Sequence, residues 1–118
     1  MLLYLSGPMT GLPDHNYPTF NAAAASLREQ GYEVINPAET AGGTIRLPRA
    51  TFLRIDIGYV LAADAIVLLP GWENSSGAKL EVMIGQAIGL AIRPLSSAYV
   101  PQRGIVVGFE AFVPVGNV

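Results

Sequence analysis

Residues 64–81 read Asp-Ala-Ile-Val-Leu-Leu-Pro-Gly-Trp-Glu-Asn-Ser-Ser-Gly-Ala-Lys-Leu-Glu. The run from Asp64 to Leu69 has no polar alternation and is stopped by Pro70-Gly71, the pattern of a strand buried on both faces of a parallel sheet. After the loop from Pro70 to Ser75, a helix is predicted from Ser76, read as its N-cap, to Ile88. Leu80, Met83, Ile84, Ala87 and Ile88 form its apolar face, and Gly89 ends it. A buried strand, a turn and an amphipathic helix in that order are one half of a βαβ unit.

The flanking sequence repeats the alternation. Leu2 to Ser6 is a first strand stopped by Gly7-Pro8, and a helix begins at Pro18 with Phe20, Ala23, Ala24 and Leu27 at helical spacing until Gly31. Tyr32 to Ile35 is a second strand, and Ala38 to Pro48 is a loop whose Gly42-Gly43 suggests mobility. A further helix spans Arg49 to Ala62, and Ala91-Ile92 begins a fourth strand. Residues 94–118 read as an irregular tail with one short strand, placed at a subunit interface. The predicted architecture is a single α/β domain over 1–118. It is an open parallel sheet of four to five strands in flavodoxin-like, Rossmann-like order with helices on both faces. Such sheets bind ligands beyond the carboxyl ends of their strands, here between strands one and three.

Composition narrows the functions. Of 118 residues, 51% are hydrophobic and 14% charged, which suits a sheet covered on both faces or a protomer that hides surface in an oligomer. A homodimer or higher homo-oligomer is expected. The net charge of -2, without a cluster of Lys or Arg, argues against polymeric nucleic acid as a partner. No cysteine and a single histidine, His15, leave no thiolate site and make a histidine metal site improbable. No segment has the length and apolarity of a signal sequence or membrane span, so a cytoplasmic protein without membrane contact is expected. The chemistry falls to carboxylates, hydroxyls and backbone amides.

Glu81 lies about one turn inside the helix that Ser75, Ser76 and Gly77 open, and its neighbours Leu80, Val82, Met83 and Ile84 are apolar. Two readings stand: a carboxylate projecting into the cleft, or one that compensates the helix dipole. Asp56 has Phe52, Leu53, Tyr59 and Val60 at helical spacing, so desolvation or a nearby Glu81 would raise its pKa towards that of a general acid. Pairing with Arg49 or Arg54 at the surface is the other reading. The turn Gly7-Pro8-Met9-Thr10-Gly11 lacks the spacing and lysine of a Walker loop, yet its amides and the Thr10 hydroxyl can wrap a sugar or phosphate. Ser75 and Ser76 can hold a phosphate or hydroxyl at the helix start, and Gly77 lets a ligand approach the backbone. Trp72 offers a surface for stacking on a base and Tyr4 a phenol, although either can serve the core instead. Asp64 reads as a structural cap, and His15 is given no catalytic role.

Tyr4 to Gly11, Asp56, Ala63-Asp64 with its apolar strand, Ser75-Ser76-Gly77, Glu81 and Gly89 together resemble the nucleoside 2-deoxyribosyltransferase family. The resemblance spans residues 2–93. It is closest to a short, often phage-borne branch with a Gly-Pro-Met-Thr-Gly start and a Leu-Pro-Gly-Trp segment, and it extends to the deoxynucleoside monophosphate N-hydrolases. It implies that Glu81 is a nucleophile at the anomeric carbon, that Asp56 assists the leaving base, and that Ser75 and the Gly7–Gly11 turn serve the sugar or 5'-phosphate pocket. This is retaining-glycosidase logic, with carboxyl groups about 5 Å apart. Where Ser75 stands the transferases commonly carry an acid and the N-hydrolases a serine; where Thr10 stands the monophosphate hydrolases carry an arginine. The resemblance also implies a dimer whose C-terminal part completes the neighbouring site. The expected function is N-glycosidic cleavage or transfer on a 2'-deoxynucleoside or its 5'-monophosphate, with no metal or organic cofactor. The alternatives are a nucleotide-binding or sequestering protein, or a structural component that keeps only the fold.

Overall fold

A computed structural model describes residues 1–40 and 47–95. The Gly42-Gly43 segment and the tail beyond Leu95, with its predicted fifth strand, lie outside the described residues.

Four strands, β1 (Leu2–Ser6), β2 (Glu33–Ile35), β3 (Ala65–Leu68) and β4 (Ala91–Pro94), form one sheet in the order β2-β1-β3-β4. Every pairing is parallel. The helices are α1 (Tyr17–Glu29), α2 (Pro37–Thr40), α3 (Arg49–Ala62) and α4 (Ser76–Ala87). The expected α/β architecture is therefore present, with strand order reversing at β1 and β3. Alternation along these strands divides the core in two. Leu3, Leu5, Ala65 and Val67 pack with Phe20, Ala23, Ala24 and Leu27 of α1. Tyr4, Ile66 and Leu68 face the other way, onto Val60 of α3 and Val82 of α4. The central strands are buried on both faces, as the unbroken apolar run of β3 requires.

Three local features set the positions of the loops. The Asp64 carboxylate accepts from the Leu2 amide at 2.8 Å, while the Asp64 amide donates to the Leu2 carbonyl at 2.8 Å. This reciprocal clamp fixes the register at the starts of β1 and β3, at the end remote from the predicted site. At the other end, a Cβ on Gly7 would lie 2.8 Å from Leu69 Cβ, so Gly7 serves the close approach of the two strands. Gly85 lets α4 rest on β3, since a Cβ there would lie 2.5 Å from Ile66 Cδ1, the end of that side chain.

Several boundaries differ from expectation. The N-cap of α4 is Ser75, whose side chain accepts from the Ala78 amide, one residue before the predicted cap. The segment after β2 coils into the four-residue α2 instead of remaining a loop; so short a helix carries no periodic signal. Between β1 and α1 lies a 3-10 turn, Pro13–Asn16, in which Asp14, His15 and Asn16 all have positive φ.

Candidate active site

The end of β1, the turn after it, the start of α1, α3 and the start of α4 line a cavity of about 360 Å³. That volume falls within the range of small-molecule sites. Glu81 reaches it because α4 turns one stripe, Ala78, Glu81, Val82 and Gly85, towards the sheet. The two small residues let the helix approach closely enough for the carboxylate between them to meet β1. Tyr4 and Ser6, two residues apart on that strand, project to the same face. Tyr4 Oη donates to Glu81 Oε2 at 2.7 Å and Ser6 Oγ to Oε1 at 2.6 Å. Both lengths suit charge-assisted hydrogen bonds to a carboxylate.

Glu81 is only 6% exposed. Burial pushes its pKa up to about 7, the hydrogen bonds from Ser6 and Tyr4 pull it back, and the Asp56 charge adds to the rise. Burial and the neighbouring Glu81 and Asp56 charges also push the Tyr4 phenol well above its ordinary value, so it remains a donor. A dipole-compensating glutamate would sit in solvent; this one is desolvated, cross-braced and aimed into a cavity. Asp56 projects from α3 into the same cavity. Burial raises it to about 6 against a side-chain hydrogen bond from Thr40, and its Oδ1 is buried without a hydrogen-bond partner. Among the described residues Asp56 forms no ion pair with Arg49 or Arg54, and Arg49 Nη2 donates instead to Ser76 Oγ at 2.6 Å. Two carboxyl groups with raised pKa in one hollow make it the candidate site, since burying charge costs stability.

Gly7, Met9, Thr10, Ser75 and Gly77 also line the cavity, together with Tyr4. Three predicted positions do not. Trp72 lines a separate hollow with Leu68, Pro70, Pro94 and Leu95, and packs against the core on the α3 and α4 side. Ser76 is an exposed residue engaged by Arg49, and Gly11 supplies a positive-φ turn, at 83°, outside the lining. Tyr4 is fully buried and donates its hydroxyl to Glu81 at the cavity wall. Sequence reasoning missed Ser6 and Arg49 and gave no role to His15, which lines the cavity beside Tyr17, their rings 5.8 Å apart. The signal for Ser6 was its two-residue spacing from Tyr4.

A family model described as a domain of unknown function, DUF4406, matches residues 1–93. The chain belongs to the DUF4406 family. Among curated proteins no sequence matches. Solved structures share the fold, two of them as follows. One is a 2-deoxyribosyltransferase from the psychrotolerant bacterium Bacillus psychrosaccharolyticus, with TM-score 0.64, 17% identity and coverage of 85% of this chain and 77% of that one. The other is a 2-desoxiribosyltransferase from Leishmania mexicana, with TM-score 0.64, 20% identity and coverage of 83% and 65%. The DUF4406 chain thus has the fold of these enzymes and spans about two thirds of the second. Among its described residues no helix is long and apolar enough to cross a membrane.

Proposed function

We propose that this DUF4406 protein cleaves or transfers the N-glycosidic bond of a 2'-deoxynucleoside or 2'-deoxynucleoside 5'-monophosphate. The observation that carries the reading is the buried Glu81 carboxylate, braced by Tyr4 and Ser6 in a cavity it shares with Asp56. The printed activity of the two fold neighbours supports the substrate class.

In the reaction, ionised Glu81 attacks the anomeric carbon as its bond to the base breaks. The base leaves with the bond electrons and takes a proton from Asp56, giving a glycosyl ester on Glu81. Water or a second base, deprotonated by Asp56, then attacks the same carbon and releases the carboxylate. Two inversions retain configuration, and the steps balance without a metal or organic cofactor. With Asp56 raised to about 6 and Glu81 to about 7, the pair holds one proton between those values, mostly on Glu81, and the first half-reaction proceeds from the minor tautomer in which Asp56 holds it. Exposed Tyr59 and Leu61 on α3, Met83 on α4 and Ile88 at its end support self-association; sedimentation velocity tests it.

Incubation with the four common deoxynucleosides and their 5'-monophosphates, with free base followed by chromatography, tests the activity. Release or exchange of a base is the expected result, and none at high enzyme concentration contradicts it. The engagement of both Glu81 oxygens by the protein's own hydroxyls favours a second reading, a pocket that holds a nucleotide without turning it over. Glu81→Ala separates the two. An enzyme loses turnover and keeps ligand affinity within a small factor, whereas a binder shows no turnover in either form.

A further inference from the structure

Arg49 opens α3 at the cavity and donates from Nη2 to the Ser76 hydroxyl at 2.6 Å. Among the described residues it has no carboxylate partner; the ion pair found there joins Arg28 to Glu39. A guanidinium has five N–H donors, and one bond to a neutral hydroxyl leaves most of them and the whole charge uncommitted. The setting makes that charge unusual. Arg49 stands at the positive end of its own helix and is tied to the first residue of α4, and neither helix has an acidic residue in its first turn. Cations are disfavoured at such positions, and the Arg49 side chain is exposed. An anion in the cavity would meet the unspent charge.

The acidic groups of the cavity, Glu81 and Asp56, lie deeper along α4 and α3. From Ser76 to Glu81 the helix rises about 7.5 Å, room for a deoxyribose 5'-phosphate to lie with its phosphate at Arg49 and its anomeric carbon at Glu81. Thr10 and Ser75 line the same cavity and supply hydroxyls.

We propose that Arg49 is the specificity-determining residue for a phosphorylated substrate, so that the site takes a 2'-deoxynucleoside 5'-monophosphate in preference to the free nucleoside. The proposal rests on the N-glycosidic reading of the cavity. Its test compares kcat/KM for base release from the four deoxynucleosides and their 5'-monophosphates in the wild-type chain, Arg49→Ala and Arg49→Lys. The wild type favours monophosphates. Arg49→Ala lowers the monophosphate-to-nucleoside ratio about 10- to 100-fold, the range for losing a charge-assisted hydrogen bond, and Arg49→Lys recovers part of it. A wild-type preference for free nucleosides, or a ratio unchanged in Arg49→Ala, overturns the proposal. If no compound releases base, the catalytic reading fails by itself, and calorimetric titration of the same eight compounds decides Arg49. Monophosphate-selective binding that is lost in Arg49→Ala upholds the anion site; equal or undetectable binding of both series refutes it.

Discussion

The Glu81 carboxylate is expensive to keep where it is. Its folded pKa, about 7, lies above the ordinary 4.5, so between those values the native state binds more protons than the unfolded chain and stability falls as pH rises. Above pH 7 the full cost applies, on the order of 3 kcal/mol from a shift of this size; below pH 4.5 it vanishes. Asp56, raised from 3.8 to about 6, adds a smaller effect of the same sign. Urea unfolding should therefore find the protein more stable at pH 5 than at pH 8, and Glu81→Gln should flatten most of that slope. Tyr4 bears on activity instead. Its hydrogen bond favours the charged carboxylate, so Tyr4→Phe raises the Glu81 pKa further. The upper limb of a bell-shaped pH–kcat/KM profile should move to higher pH, with the maximum lowered about 10-fold for the loss of one charge-assisted bond. At this scale the sequence showed the carboxylates but not their partners. Glu81 and Asp56 stood out as acids among apolar neighbours, whereas Ser6 and Arg49 are ordinary in composition and acquire roles only from what lies 75 and 27 residues away.

Elements carry those residues to one place. Because α4 lies against β3 at Gly85, the position of Glu81 depends on that contact. Gly85→Ala presses on Ile66 Cδ1, the flexible end of that side chain, and should cost about 1 kcal/mol, the low end of overpacking, read as a slightly lower urea midpoint. Gly77 behaves oppositely. A Cβ there meets only Leu53 and Ser75 at 3.7 and 3.9 Å, ordinary contacts, while the residue lines the cavity. Gly77→Ala should be neutral to stabilising by up to about 1 kcal/mol yet weaken ligand binding in calorimetry; stability and affinity falling together would assign Gly77 to packing. The strands and long helices were legible because periodicity is an element-scale signal: α3 spans Arg49–Ala62 and β1 spans Leu2–Ser6, as read. The four-residue α2 was not, because too few residues repeat. Nor was the choice between Ser75 and Ser76 as cap, since both have the chemistry and only the Ser75 φ/ψ places its hydroxyl at the Ala78 amide.

At the scale of the molecule, parallel order does the assembling. The sheet order β2-β1-β3-β4 sets the turn after β1 beside the loop after β3, so residues 7–10 and 75–81 meet although most of the chain between them lies elsewhere. The alternation of strand and helix made that meeting place predictable. The placement of Trp72 was not, because a loop side chain takes its direction from local packing that no periodicity reports. Substrate class is a whole-molecule property too, since it depends on Arg49 from α3 facing a site built largely by α4 and β1. The most direct test of the account is intact-protein and peptide mass analysis after rapid quenching with a deoxynucleoside 5'-monophosphate. The account predicts one deoxyribosyl phosphate adduct on the peptide that contains Glu81, absent in Glu81→Ala along with base release. Base release undiminished in Glu81→Ala would contradict it.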